Sequence, residues 1–86
     1  MANTPSARKR AVQADKRRSR NKAQGSMFRT RLKNVVKAIK AGDKAAAEEA
    51  YRAALPVIDR MANKGLIHRN KAARHKSRLN QHIRAL

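Results

Sequence analysis

One apolar stripe ends halfway along its helix, and that restricts the fold more than any other feature of the chain. Phe28, Leu32, Val35, Val36 and Ile39 stand at i, i+4, i+7, i+8 and i+11, which is one narrow face of an α-helix. Continued toward the N-terminus by the same steps of three and four, that face meets Gln24, Asn21, Arg17, Ala14 and Arg10. It turns polar there. The spacing therefore predicts that residues from about 26 to 40 pack in a core, while residues from about 8 to 24 have nothing to bury and project beyond it.

The remaining apolar residues support only a small core. Ala accounts for 17 of the 35 apolar residues among 86, and the aromatics are Phe28 and Tyr51 alone. A chain this short buries only about 60% of its unfolded surface, so a second domain or a large enclosed active site is excluded. There is no cysteine, hence no disulfide or thiolate zinc site to reinforce the fold. The opening MANTPSARKR has no apolar run, and no stretch approaches the length of a membrane span. A soluble, intracellular protein with no membrane partner is expected.

Helix punctuation divides the chain into three helices. Gly42 can cap the first at its C-terminus and Asp43 can cap the second at its N-terminus, with Glu48 and Glu49 near the favourable end of the dipole. The second should bury Ala47, Tyr51, Ala54, Leu55, Ile58, Met61 and Ala62, and Pro56 should kink it or break it. Gly65 ends it. A third segment follows with Ala72, Leu79, Ile83 and Leu86 on one face. Expected is an all-α, antiparallel three-helix bundle: residues 1–7 a flexible N-terminus, helix one over 8–40, helix two over 43–63 with its kink near Pro56, and helix three over 67–86. At 1.5 Å per residue, the basic first helix would run about 50 Å and overhang its partners. Gly25, where the core stripe ends, is a plausible bend.

Charge follows the same division. The formal net charge is +18, split as +12 over residues 1–40, −1 over 41–63 and +7 over 64–86. Two basic segments flank a near-neutral one. That excess calls for a polyanionic partner.

In the first segment Arg8, Lys9, Arg10, Lys16, Arg17, Arg18, Arg20 and Lys22 lie all round the helical wheel, with like charges one turn apart that bound phosphates would relieve. A solvated charged tail is the plainer alternative. The candidate contacts extend to Arg29 and Lys33 further along the same helix. The third segment keeps an apolar seam while turning Arg69, Lys71, Arg74, Lys76 and Arg78 outward, with Asn70 able to add a neutral hydrogen bond. His68, His75 and His82 recur every seven residues on one side of that helix. Spacing of about 10 Å and the lack of a nearby carboxylate leave no metal site, so these histidines either border the core seam or touch nucleic acid, and His68 and His75 are candidate contacts.

No catalytic constellation is present. Each acid has a structural explanation: Asp43 as a cap, Glu48 and Glu49 at a helix start, and Asp15 and Asp59 as partners of neighbouring Lys or Arg. No cofactor and no small-molecule substrate are expected. Base-reading motifs and stacking aromatics are missing too, which leaves recognition of folded nucleic acid by shape and phosphate arrangement, a task that suits structured RNA. A histone-like architectural DNA-binding protein is the alternative, disfavoured by the lack of an intercalating wedge.

The strings MAN, SARKR, DKRRSRN, SMFRT and KAIKAGDKAAA, and above all KGLIHRNKAARHKSRLN at residues 64–80, resemble the bacterial small-subunit ribosomal proteins of the S-twenty family along nearly the whole chain. The resemblance implies a non-enzymatic, cytoplasmic constituent of the small ribosomal subunit. Such a protein binds 16S-type rRNA directly, low on the body of the subunit and without needing other proteins first, and holds RNA elements together during assembly beside other subunit components. It implies that the arm from Arg8 to Lys22 and the outward Lys71, Arg74, Lys76 and Arg78 lie against RNA. Thr4-Pro5 and Gln24-Gly25 depart from the family's usual pattern, and the first is expected to delay the helix start.

Overall fold

The computed structural model describes residues 4–86 and contains three helices: α1 over Pro5–Lys40, α2 over Lys44–Asn63 and α3 over Arg69–Arg84. Residues 1–3 of the expected flexible N-terminus lie outside the described residues. Thr4-Pro5 does not delay α1 but starts it. The Thr4 Oγ1 accepts the Ala7 N–H at 3.2 Å as an N-cap, and Pro5 follows in the first turn, where its missing N–H costs nothing. The helix therefore begins three residues ahead of the expected Arg8.

Gly42 and Gly65 both take positive φ, +72° and +73°, and close the two turns. Asp43 Oδ1 accepts the Ala46 N–H at 3.1 Å, so Asp43 caps α2 as expected and the helix proper opens at Lys44. Pro56 does not break α2, which runs through it to Asn63. At the second turn, the Leu66 N–H bonds back to the Met61 carbonyl at 2.9 Å. Leu66 and Ile67 fold onto the core from this connection, so Ile67 precedes α3 instead of opening it. The cap is His68, whose Nδ1 accepts the Asn70 N–H at 3.0 Å.

The core comprises Phe28 and Val35 from α1, Ala47, Ala54, Val57, Ile58 and Met61 from α2, and Ala72, Leu79 and Ile83 from α3. Val35 and Ile58 are fully buried. Half of these residues come from α2, because α2 packs extensively on both other helices while α1 and α3 barely touch. That arrangement corrects three expectations. Val36 is exposed, since it stands 100° round the wheel from Val35 and α2 covers only one side of α1. Leu86 is exposed beyond the end of α3. Val57, absent from the expected face, is buried, because a helix with neighbours on two sides buries a wider arc.

Toward the N-terminus the chain leaves the core. Residues 8–23 are exposed without exception, and burial on α1 resumes at Gln24. The described molecule measures 59 × 22 × 16 Å, the length of a helix of 36 residues rather than of a compact bundle. Gly25 introduces no break, and the helix is continuous through it.

Candidate nucleic-acid interface

The arm carries Arg8, Lys9, Arg10, Lys16, Arg17, Arg18, Arg20 and Lys22 on a bare helix, all exposed and pointing all round it. Eight cations stand there against one acid, Asp15. Asp15 pairs with none of them, contrary to expectation: the one ion pair among the described residues is formed elsewhere. Arg18 stands one turn on at i+3 but does not bridge to it, and the i±4 positions are Ala11 and Ser19, which carry no charge. The arm is thus a rod of uncompensated positive charge.

Along the packed half of α1, Arg29 and Lys33 are exposed on the side turned away from the core stripe. Lys37 and Lys40 continue that row, and Lys33, Val36, Lys37 and Lys40 border one shallow cleft. These last two lysines were not among the expected contacts. Their spacing from Lys33, i+4 and i+7, was the signal that could have found them.

On α3 the expected residues separate into two groups. Asn70, Lys71, Arg74 and Arg78 are exposed and free to meet phosphates. Lys76, His75 and His68 each also make a contact within the protein. Lys76 Nζ donates to Asp59 Oδ1 of α2 at 2.9 Å, and the Tyr51 hydroxyl donates to the Lys76 carbonyl at 3.0 Å. Asp59 therefore pairs across the helix interface, not with a sequence neighbour. The half-buried His75 ring meets Phe28 of α1 edge-on, with centroids 5.7 Å apart and planes at 81°. Partial burial lowers its pKa below the ordinary 6.5, and the positive charges of Lys71, Arg74 and Arg78 lower it further. His68 is exposed, with one ring nitrogen committed to the α3 cap.

Both surfaces suit phosphate better than bases. Exposed Arg and Lys on continuous helices offer charge at regular intervals, and both aromatic side chains, Phe28 and Tyr51, are drawn into the core. Among the described residues no group of His, Cys, Asp or Glu is placed to hold a metal, and no helix is long and apolar enough to cross a membrane.

The sequence matches the model of the family described as ribosomal protein S20 over residues 2–84. Along its whole length the chain is 73% identical to the small ribosomal subunit protein bS20 of Alkalilimnicola ehrlichii, covering 98% of that protein. It is 70% identical to the protein of the same name from Stutzerimonas stutzeri and 69% identical to that of Pseudomonas aeruginosa, covering 94% of each. A match that runs from the exposed arm through all three helices, at such identity, leaves no part of the chain outside the comparison: it belongs to the ribosomal protein S20 family.

Proposed function

We propose that this chain is a non-catalytic structural component of the small ribosomal subunit in the cytoplasm, and that it binds small-subunit rRNA directly through phosphate contacts. The arm and the exposed flank of α3 would each neutralise phosphates of a different RNA element and hold the two together during assembly, beside other components of the subunit. The contacts assigned to RNA are Arg8, Lys9, Arg10, Lys16, Arg17, Arg18, Arg20, Lys22, Arg29, Lys33, Asn70, Lys71, Arg74, His75 and Arg78. The observation that carries the reading is the arm. Residues 8–23 form a helix with no dry face and no salt bridge, a conformation whose charge repulsion a bound polyanion relieves. The family offers nothing in favour of architectural DNA binding.

Titration of small-subunit rRNA against an unrelated duplex at several salt concentrations tests this. If about eight phosphates are contacted, log K falls by about 6–7 for each tenfold rise in salt. Equal affinity for both nucleic acids, or an affinity flat with salt, would overturn it. Removal of residues 1–24 should weaken binding strongly and leave the helicity per residue of the remainder unchanged in circular dichroism.

A further inference from the structure

His75 lies where the contact between α1 and α3 meets the basic flank of α3. One edge of the contact is the Phe28 ring of α1, set at 81° to the imidazole. On its own helix Lys71, Arg74 and Arg78 stand at i−4, i−1 and i+3, all exposed on the flank that His75 borders. From α1, the charged residues nearest Phe28 in sequence are Arg29 and Arg31, both cations, and the one carboxylate of that helix, Asp15, is more than three turns away. From α2, Asp59 is already bound to Lys76. No carboxylate therefore answers this cluster. With no salt bridge of its own, the cluster is open to an anionic ligand.

We propose that Lys71, Arg74, His75 and Arg78 form a single phosphate site for RNA, in which the imidazole of His75 takes up a proton from solvent as the phosphate arrives. This rests on the RNA-binding reading above and names the chemistry of one of its contacts. In the free protein burial, and after it the three neighbouring cations, disfavour the charged form of the imidazole. A phosphate seated among the three reverses the local field, and the imidazolium then donates a charge-assisted hydrogen bond to a phosphate oxygen. The edge-on contact with Phe28 holds the ring at the border of that flank before the phosphate docks. The one N–H formed on the imidazole is balanced by the bond to the proton broken in the hydronium or buffer acid that supplies it.

Binding of the whole protein to a small-subunit rRNA fragment, at fixed salt between about pH 8 and about pH 6, reads this out. Affinity should rise about three- to tenfold as pH falls, tenfold corresponding to one unit of pKa difference between free and bound states. Calorimetry in two buffers of different ionisation heat should register net proton uptake on binding. In His75→Gln both effects should vanish while binding at about pH 8 persists. An affinity independent of pH in the unaltered protein overturns the proposal, and so does a His75→Gln variant that gains as much as its parent. Should that variant not fold, the imidazole resonances of His75 in the unaltered protein decide: a titration midpoint raised by RNA supports the site, and an unmoved one overturns it. Selective RNA binding with no pH dependence overturns this site alone, whereas absence of selective binding at every pH overturns the RNA reading with it.

Discussion

The ammonium of Lys76 lies 2.9 Å from the Asp59 carboxylate, and the carbonyl of the same residue accepts the Tyr51 hydroxyl at 3.0 Å. Both partners belong to α2, so a single residue of α3 is held at side chain and backbone together, and the rotation of α3 about its own axis is set. Lys71, Arg74 and Arg78 are turned outward as a result. Lys76, a cation on the same helix, is directed to Asp59 of α2 instead.

That division predicts unequal consequences for two superficially similar substitutions. Arg74→Ala should reduce the salt slope of RNA binding by about 1, the signature of one lost phosphate contact. Lys76→Ala should leave the slope nearly unchanged and cost about 0–1 kcal/mol of stability, since both members of its ion pair are well exposed to solvent. Filter binding over a salt series, with chemical denaturation alongside, compares them.

Tyr51→Phe removes the hydroxyl that reaches the Lys76 carbonyl and keeps the ring in the core. A loss of about 0.5–1.5 kcal/mol is expected, lowering the melting midpoint by several degrees in thermal unfolding followed by circular dichroism.

Glycine replacements should have opposite signs along the chain. At Gly25, a Cβ would meet only the Arg29 guanidinium at 3.6 Å, ordinary contact with the movable end of a side chain, inside a regular helix. Gly25→Ala should therefore stabilise the protein by about 0.5–1 kcal/mol. Gly42→Ala should destabilise it by about 1–2 kcal/mol, because φ of +72° is costly for any residue with a Cβ although the space is open. Denaturant midpoints of the two variants test the contrast.

Core and arm should respond differently to truncation. Ile58 is fully buried in the core, and Ile58→Ala should cost about 2–5 kcal/mol. Val12, 54% exposed on the arm, should tolerate Ala within about 0.5 kcal/mol. Equilibrium unfolding of both variants, free of RNA, distinguishes a packed half from a projecting half of α1.

The stability of the free protein should depend on pH in the direction opposite to RNA affinity. The pKa of His75 is lower in the folded chain than the ordinary 6.5, so the unfolded chain binds the proton more readily. Its contribution is fully present above pH 6.5 and is lost as pH falls through the folded-state value. Melting curves over that range should show the loss in the unaltered protein, and His75→Gln should remove this component.

Much of the molecule was legible from residue types and spacing. Thr4, Gly42, Asp43 and Gly65 act through neighbours within four residues, so local chemistry is enough to locate helix ends, and Thr4-Pro5, a capping side chain followed by Pro, is a start signal and not a delay. The arm was legible for a related reason. A helical face with no apolar side chain has nothing to bury, whatever the rest of the chain does.

By itself, then, the sequence determined three helices, a projecting basic arm and a near-neutral middle helix between two cationic ones. The tertiary structure decided which flank of each helix is covered. Val35 and Val36 are adjacent and chemically identical, yet one is fully buried and the other 40% exposed, because α2 lies on one side of α1 and α3 barely reaches the other. Lys76 turns to Asp59, and His75 to Phe28, for the same reason. Helical periodicity gives an angle about an axis, but only the placement of neighbouring axes says what stands at that angle.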